Sequence, residues 1–142
     1  MINYSKSLLT GALVLLTSGV LLAQATPEDK AGWKLGAQAY SFRLFPFADA
    51  LRKIDSCGLK YVEAFPGQQI GGGLPGKMDF KMDADTRKAV KKMIKDRGVT
   101  LVAYGVVGAK DEAEWKTLFE FAKDMGILNI NSEPEPDRKS VV

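Results

Sequence analysis

The chain predicts an α/β protein with a parallel sheet, and three observations carry that prediction. Gly58-Leu59, Gly98-Val99 and Gly126-Ile127 each turn the end of an amphipathic stretch directly into an apolar run. The apolar runs have strand length, and the stretches between them have helical spacing. The helix-to-strand joints are short, whereas the strand-to-helix joints are longer. A β-α-β-α-β-α-β order of this kind implies right-handed crossovers and a sheet covered by helices. Half of a (β/α)₈ TIM barrel and an open doubly wound sheet both satisfy the alternation.

Each element has its own local signal. Residues 33–42 mix Leu35, Ala37, Ala39 and Phe42 with polar Gln38, Tyr40 and Ser41, and read as the first strand. Pro46 suits the first turn of a helix, in which Phe47, Leu51, Ile54 and Cys57 share a face before Gly58 stops it. That placement makes Cys57 a small buried hydrophobe. Residues 59–65 form the second strand and end in Glu63-Ala64-Phe65-Pro66-Gly67. A glycine-rich segment over 68–82 is expected to be a flexible, lid-like loop. The next helix starts near Asp85, buries Ala89, Val90, Met93 and Ile94, and stops at Gly98. Residues 99–107, with Tyr104, form the most β-like run of the chain. Asp111 and Glu112 open the following helix, whose apolar stripe is Trp115, Leu118, Phe119, Ala122 and Met125. Ile127 begins the fourth strand, which Pro134 and Pro136 bring to an end.

Composition narrows the chemistry. The 142 residues are 46% hydrophobic and 26% charged, and suffice for one domain with a real core. The net charge of +3 is small and interspersed, unlike the one-sided basic surface that nucleic acid demands. A single cysteine excludes an internal disulfide. With no histidine, a Ser-His-Asp triad, a histidine base and His-containing zinc sites are excluded within these residues. Residues 1–25 read as a signal peptide: Lys6 supplies the positive region, residues 8–23 the apolar core, and Ala23-Gln24-Ala25 the cleavage signal. Export to the periplasm or beyond is therefore expected, with no membrane attachment after cleavage. Residues 26–32 are a polar lead-in, 33–137 the folded unit and 138–142 a short tail.

Two candidate sites follow. Gly71 to Lys77 matches the opening of a phosphate-binding loop, but Met78 stands where Ser or Thr would hold magnesium. Pro75 also removes an N–H from the phosphate cradle, so nucleotide binding there is the weaker reading. The stronger one lies at the carboxyl ends of the strands. Gln38, Tyr40 and Ser41 sit there on the first, Glu63 on the second, Tyr104 on the third and Glu133 on the fourth. On a parallel sheet those positions border one mouth.

The segments Leu35-Gly36-Ala37-Gln38-Ala39-Tyr40-Ser41-Phe42-Arg43, Gly58-Leu59-Lys60-Tyr61-Val62-Glu63-Ala64-Phe65 and Ser132-Glu133-Pro134 resemble the sugar phosphate isomerase/epimerase family. This is the xylose-isomerase-like TIM barrel superfamily, and the resemblance points to its exported bacterial members. It implies a partial (β/α)₈ TIM barrel of about four βα units, truncated after the fourth strand. It further implies a divalent metal, Mn²⁺ or Mg²⁺, with Glu133 as metal ligand and catalytic residue. Gln38, Tyr40, Glu63 and Tyr104 become substrate-binding residues for a small-molecule sugar. The implied reaction is metal-assisted proton transfer beside a sugar carbonyl. The Asp, His and second Glu of such sites lie on later strands that this chain does not contain. A fragment inactive alone and prone to self-associate through exposed sheet edges is therefore expected. The alternative is a non-catalytic carbohydrate-binding or degenerate barrel domain.

Overall fold

A computed structural model describes residues 26–133. The expected leader over 1–25, the expected strand stop at Pro134 and Pro136 and the expected 138–142 tail lie outside the described residues. The elements run α1 (Pro27–Lys30), β1 (Gly36–Gln38), a 3-10 turn (Ala39–Phe42), α2 (Phe47–Ser56), β2 (Tyr61–Ala64), β3 (Gln69–Gly71), β4 (Leu74–Lys77), α3 (Ala84–Asp96), β5 (Thr100–Gly105), α4 (Glu112–Met125) and β6 (Asn129–Asn131). Four strands form one parallel sheet in the order β1-β2-β5-β6, the order in which the chain lays them down. Helical crossovers that follow the strand order without reversing direction place α2, α3 and α4 on a single face, where they share one core.

One core glues these helices to that face. Val62, Ala64, Leu101 and Tyr104 from the sheet pack with Phe47, Leu51 and Ile54 of α2, Val90 and Ile94 of α3, and Leu118, Phe121 and Met125 of α4. Because side chains alternate along a strand, Tyr61 and Glu63 then emerge on the opposite, helix-free face. The capping chemistry agrees with the sequence. Asp83 and Asp111 accept hydrogen bonds from the Thr86 and Glu114 amides at the starts of α3 and α4. Gly126 ends α4 in the left-handed conformation. Among the described residues, no helix is long and apolar enough to cross a membrane.

Four expectations need correcting. The first strand is shorter than 33–42, because the chain leaves the ladder at Ala39 and winds into a 3-10 turn. The glycine-rich segment is an ordered antiparallel hairpin, β3 with β4. Gly72 and Gly73, at φ +62° and +86°, supply the two left-handed residues of its tight turn. Ile70, Met78, Phe80 and Met82 bury their side chains and pin this segment to the body of the protein. Cys57 is exposed, because α2 ends at Ser56 and Cys57 occupies the cap, off the apolar face. On α4 the buried residue is Phe121, not Phe119. Phe119 is 57% exposed and lies 6.0 Å from Trp115 on the surface, while Phe121 meets Tyr104 edge-on in the core.

Candidate functional site

The helix-free face of the sheet carries a polar row that joins three of its four strands. Gln38 ends β1 and lies beside Glu63 of β2 in register. Asn131 ends β6, two strands away from Glu63 across β5. Gln38 Nε2 donates to Glu63 Oε1 at 3.1 Å, and Asn131 Nδ2 donates to the same oxygen at 2.7 Å. Both donors meet Oε1, and among the described residues no hydrogen bond to Glu63 Oε2 accompanies them. Two amide donors on a carboxylate are charge-assisted and fix its orientation.

Gly105 makes the row possible. It ends β5 opposite Asn131, and a Cβ there would sit 2.3 Å from the Asn131 carbonyl oxygen and 2.7 Å from the Asn131 Cβ. Any side chain at this position would push β6 outward and interrupt the line from Asn131 to Glu63. Neither Asn131 nor Gly105 was among the residues singled out from sequence. The available signal was a glycine closing an otherwise β-rich run, directly opposite an amide.

An aromatic border stands next to the row. Two residues beyond Gln38, Tyr40 is 51% exposed and meets Phe65 edge-on, with ring centres 5.1 Å apart. The Arg43 guanidinium lies over the Tyr40 ring at 5.1 Å. Toward the amino end of the strands, the Lys34 ammonium lies 5.6 Å from the Tyr61 ring centre. Lys34, Gln38, Tyr61, Glu63 and Ala103 line a shallow groove of about 190 Å³ on this face.

The residues expected to meet at one mouth divide into two groups. Gln38 and Glu63 are brought together, and Tyr40 borders them. Glu133 follows β6 by two residues, at the same end of the sheet, and is exposed. Tyr104 is not part of this group. It lies beside Ala64 in register, points into the helix-side core and is wholly buried. Burial, and secondarily the charge of Asp79, holds its phenol well above the ordinary tyrosine range. Strand parity explains the correction: Ala103 pairs with Glu63, so the residue after it faces the helices.

The described residues do not by themselves compose a metal centre. No group of three or more His, Cys, Asp or Glu side chains among them is arranged to hold an ion. Nor does the glycine-rich hairpin form a nucleotide cradle, since it runs strand to strand and not strand to helix.

No family model and no curated protein matches the chain. Among solved structures it is similar to an uncharacterised protein from Parabacteroides distasonis ATCC 8503. The TM-score is 0.70 at 28% identity, over 76% of this chain and 46% of that one. The chain thus spans less than half the length of this neighbour. Because the neighbour is uncharacterised, the likeness carries the mixed α/β architecture and no activity.

Proposed function

We propose that this chain forms one half of the sugar-binding mouth of a (β/α)₈ barrel of the isomerase/epimerase type. The observation that carries this reading is the Gln38–Glu63–Asn131 row on the helix-free face, at the carboxyl ends of the strands. The sequential strand order supports it, because a barrel winds in one direction whereas a doubly wound sheet reverses. A fixed carboxylate accepts hydrogen bonds from sugar hydroxyls, and flanking amides both donate and accept. Tyr40 and Phe65 offer the apolar faces of a pyranose a surface to pack against.

In this reading Glu63 orients a hydroxyl or serves as the base that moves a proton beside the carbonyl. The divalent cation implied by the family resemblance would draw on Glu133, and hard oxygen ligands suit Mn²⁺ or Mg²⁺. The described residues do not complete its shell, so no step is derived through it. The leader at residues 1–25 makes export part of the proposal.

The test is ligand-observed NMR of the chain with a panel of aldoses and ketoses, with and without chelator. Saturation transfer to a sugar, weakened at least about tenfold in Glu63→Gln, is the expected result. Equal binding by wild type and Glu63→Gln would refute the site. A second reading, a non-catalytic carbohydrate-binding domain, is favoured by the absence of an acidic cluster among the described residues. Sugar binding indifferent to chelator, with no epimerisation of the bound sugar, would select it.

A further inference from the structure

Gln68 is 3% exposed and lies among apolar side chains, where an uncharged amide is uncommon. It follows the turn at Pro66 and Gly67, three residues after Phe65, beyond the carboxyl end of β2. The hairpin holds its main chain: the Met78 amide donates to the Gln68 carbonyl at 2.7 Å, and the Gly67 amide donates to the Met78 carbonyl at 2.8 Å. Its side chain reaches the joint between β1 and α2, where Nε2 donates to the Phe45 carbonyl at 3.1 Å. Oε1 is buried without a hydrogen-bond partner among the described residues. An apolar residue of similar volume would avoid the cost of burying that oxygen. What the amide adds over such a residue is the tie to Phe45.

That tie joins the two segments that carry the aromatic border. The joint after β1 runs from Tyr40 to Phe45, with the Arg43 amide on the Tyr40 carbonyl at 3.1 Å and the Phe45 amide on the Phe42 carbonyl at 2.9 Å. The joint after β2 carries Phe65. The last ladder pair between these strands is Gln38 with Glu63, so both rings lie beyond the sheet's own hydrogen bonds. The hairpin braces the same region, since a Cβ at Gly71 would stand 2.4 Å from the Pro46 Cβ at the start of α2. We propose that Gln68 is a positioning residue of the mouth. Its amide locks the Tyr40 joint to the Phe65 joint, so that the two rings stand edge-on, 5.1 Å apart, before a ligand arrives. A packing surface ordered in advance spares a sugar the entropy of ordering it. The inference rests on the reading of the Gln38–Glu63–Asn131 face as a sugar site, but its first readout is the ring contact, which needs no sugar.

The test compares Gln68→Met with Gln68→Glu by aromatic NOE spectroscopy and sugar NMR, with circular dichroism as the check on folding. Methionine keeps the length and the burial but cannot donate to Phe45. The Tyr40–Phe65 cross-peaks should therefore be lost, and sugar should bind about three- to tenfold more weakly. The Gln38 and Asn131 side-chain amides should keep their wild-type shifts, because their bonds to Glu63 belong to the sheet. In Gln68→Glu the carboxyl donates to the Phe45 carbonyl only while protonated. Its cross-peaks should match wild type at low pH and vanish as pH rises through a pKa that burial lifts. Wild type should show no such dependence: an amide does not titrate, and Arg43 and Lys53, over the Tyr40 and Phe45 rings, stay charged throughout. A space-filling role alone would give Gln68→Glu no such reversal. Full cross-peaks in Gln68→Met, or cross-peaks indifferent to pH in Gln68→Glu, would overturn the inference; should Gln68→Glu not fold, Gln68→Met decides alone. Lost cross-peaks with unchanged sugar affinity would overturn it as well. A wild type that binds no sugar, with cross-peaks lost in Gln68→Met, sinks only the sugar reading and leaves Gln68 as the tie between the joints.

Discussion

Replacing Gly105 with alanine tests the geometry on which the polar row depends. The added Cβ would sit 2.3 Å from the Asn131 carbonyl oxygen, against the 3.4 Å at which ordinary contact begins. The neighbour is backbone, so β6 must move away from β5 by roughly 1 Å. That shift strains or breaks the hydrogen bond from the Val107 amide to the Asn131 oxygen, now 3.0 Å. Overpacking of this kind costs about 1–3 kcal/mol, and the lost hydrogen bond about 1 kcal/mol. Together they place the destabilisation at about 2–4 kcal/mol. Detachment of the short edge strand sets its ceiling, because β6 holds only three ladder residues. Urea denaturation should show the midpoint falling by about 1–2 M. In the same variant the Asn131 side-chain amide should lose the chemical shift imposed by Glu63, and the β6 amides should exchange faster. Gly108→Ala is the control, since a Cβ there meets nothing within 4 Å. If Gly105→Ala lies within about 0.5 kcal/mol of wild type and leaves the Asn131 amide unshifted, the close approach of β5 and β6 is wrong.

Two further outcomes follow from the charges and the core. Asp124 is held below the ordinary aspartate range by its hydrogen bond to Lys91, with Arg87 adding to the effect. A depressed folded value contributes stability that is complete above the ordinary aspartate range and is lost as pH falls through the folded value. Asp124→Asn should therefore lower stability modestly at neutral pH, flatten the acid limb of a stability–pH profile below about pH 4, and converge with wild type at lower pH. Tyr104→Phe removes a buried hydroxyl that has no hydrogen-bond partner among the described residues. Stability should be unchanged or raised by up to about 1 kcal/mol, and the alkaline decline that begins near pH 10 should soften. Sugar binding should be unaffected, whereas a loss of binding would return Tyr104 to the mouth.

Much of the architecture was legible because its signals are local. Gly58, Gly98 and Gly126 mark helix ends through their own backbone freedom. Asp83 and Asp111 announce helix starts through a side chain that reaches an amide three residues on. The glycine-rich segment misled for a local reason too. Gly72-Gly73 reads equally as slack or as a tight turn, and only the burial of Ile70 and Met78 decides between them. Trp115 packs half-buried against the core as its spacing predicts, whereas Phe119 on the same stripe stays exposed and Phe121 enters the core, where it meets Tyr104.

What the sequence determined alone was the alternation of strands and helices, and which polar residues stand near the carboxyl ends of the strands. Those properties depend on neighbours a few positions away. Which of those residues share a face was decided only by the tertiary structure. Register and parity between strands placed Glu63 with Gln38 and Asn131, and turned Tyr104 away to the helices. A hydrogen bond between residues 63 and 131 joins parts of the chain that are close only after two crossovers have brought their strands into one sheet. No periodicity along the chain encodes that distance, because it is set by packing between elements and not within them.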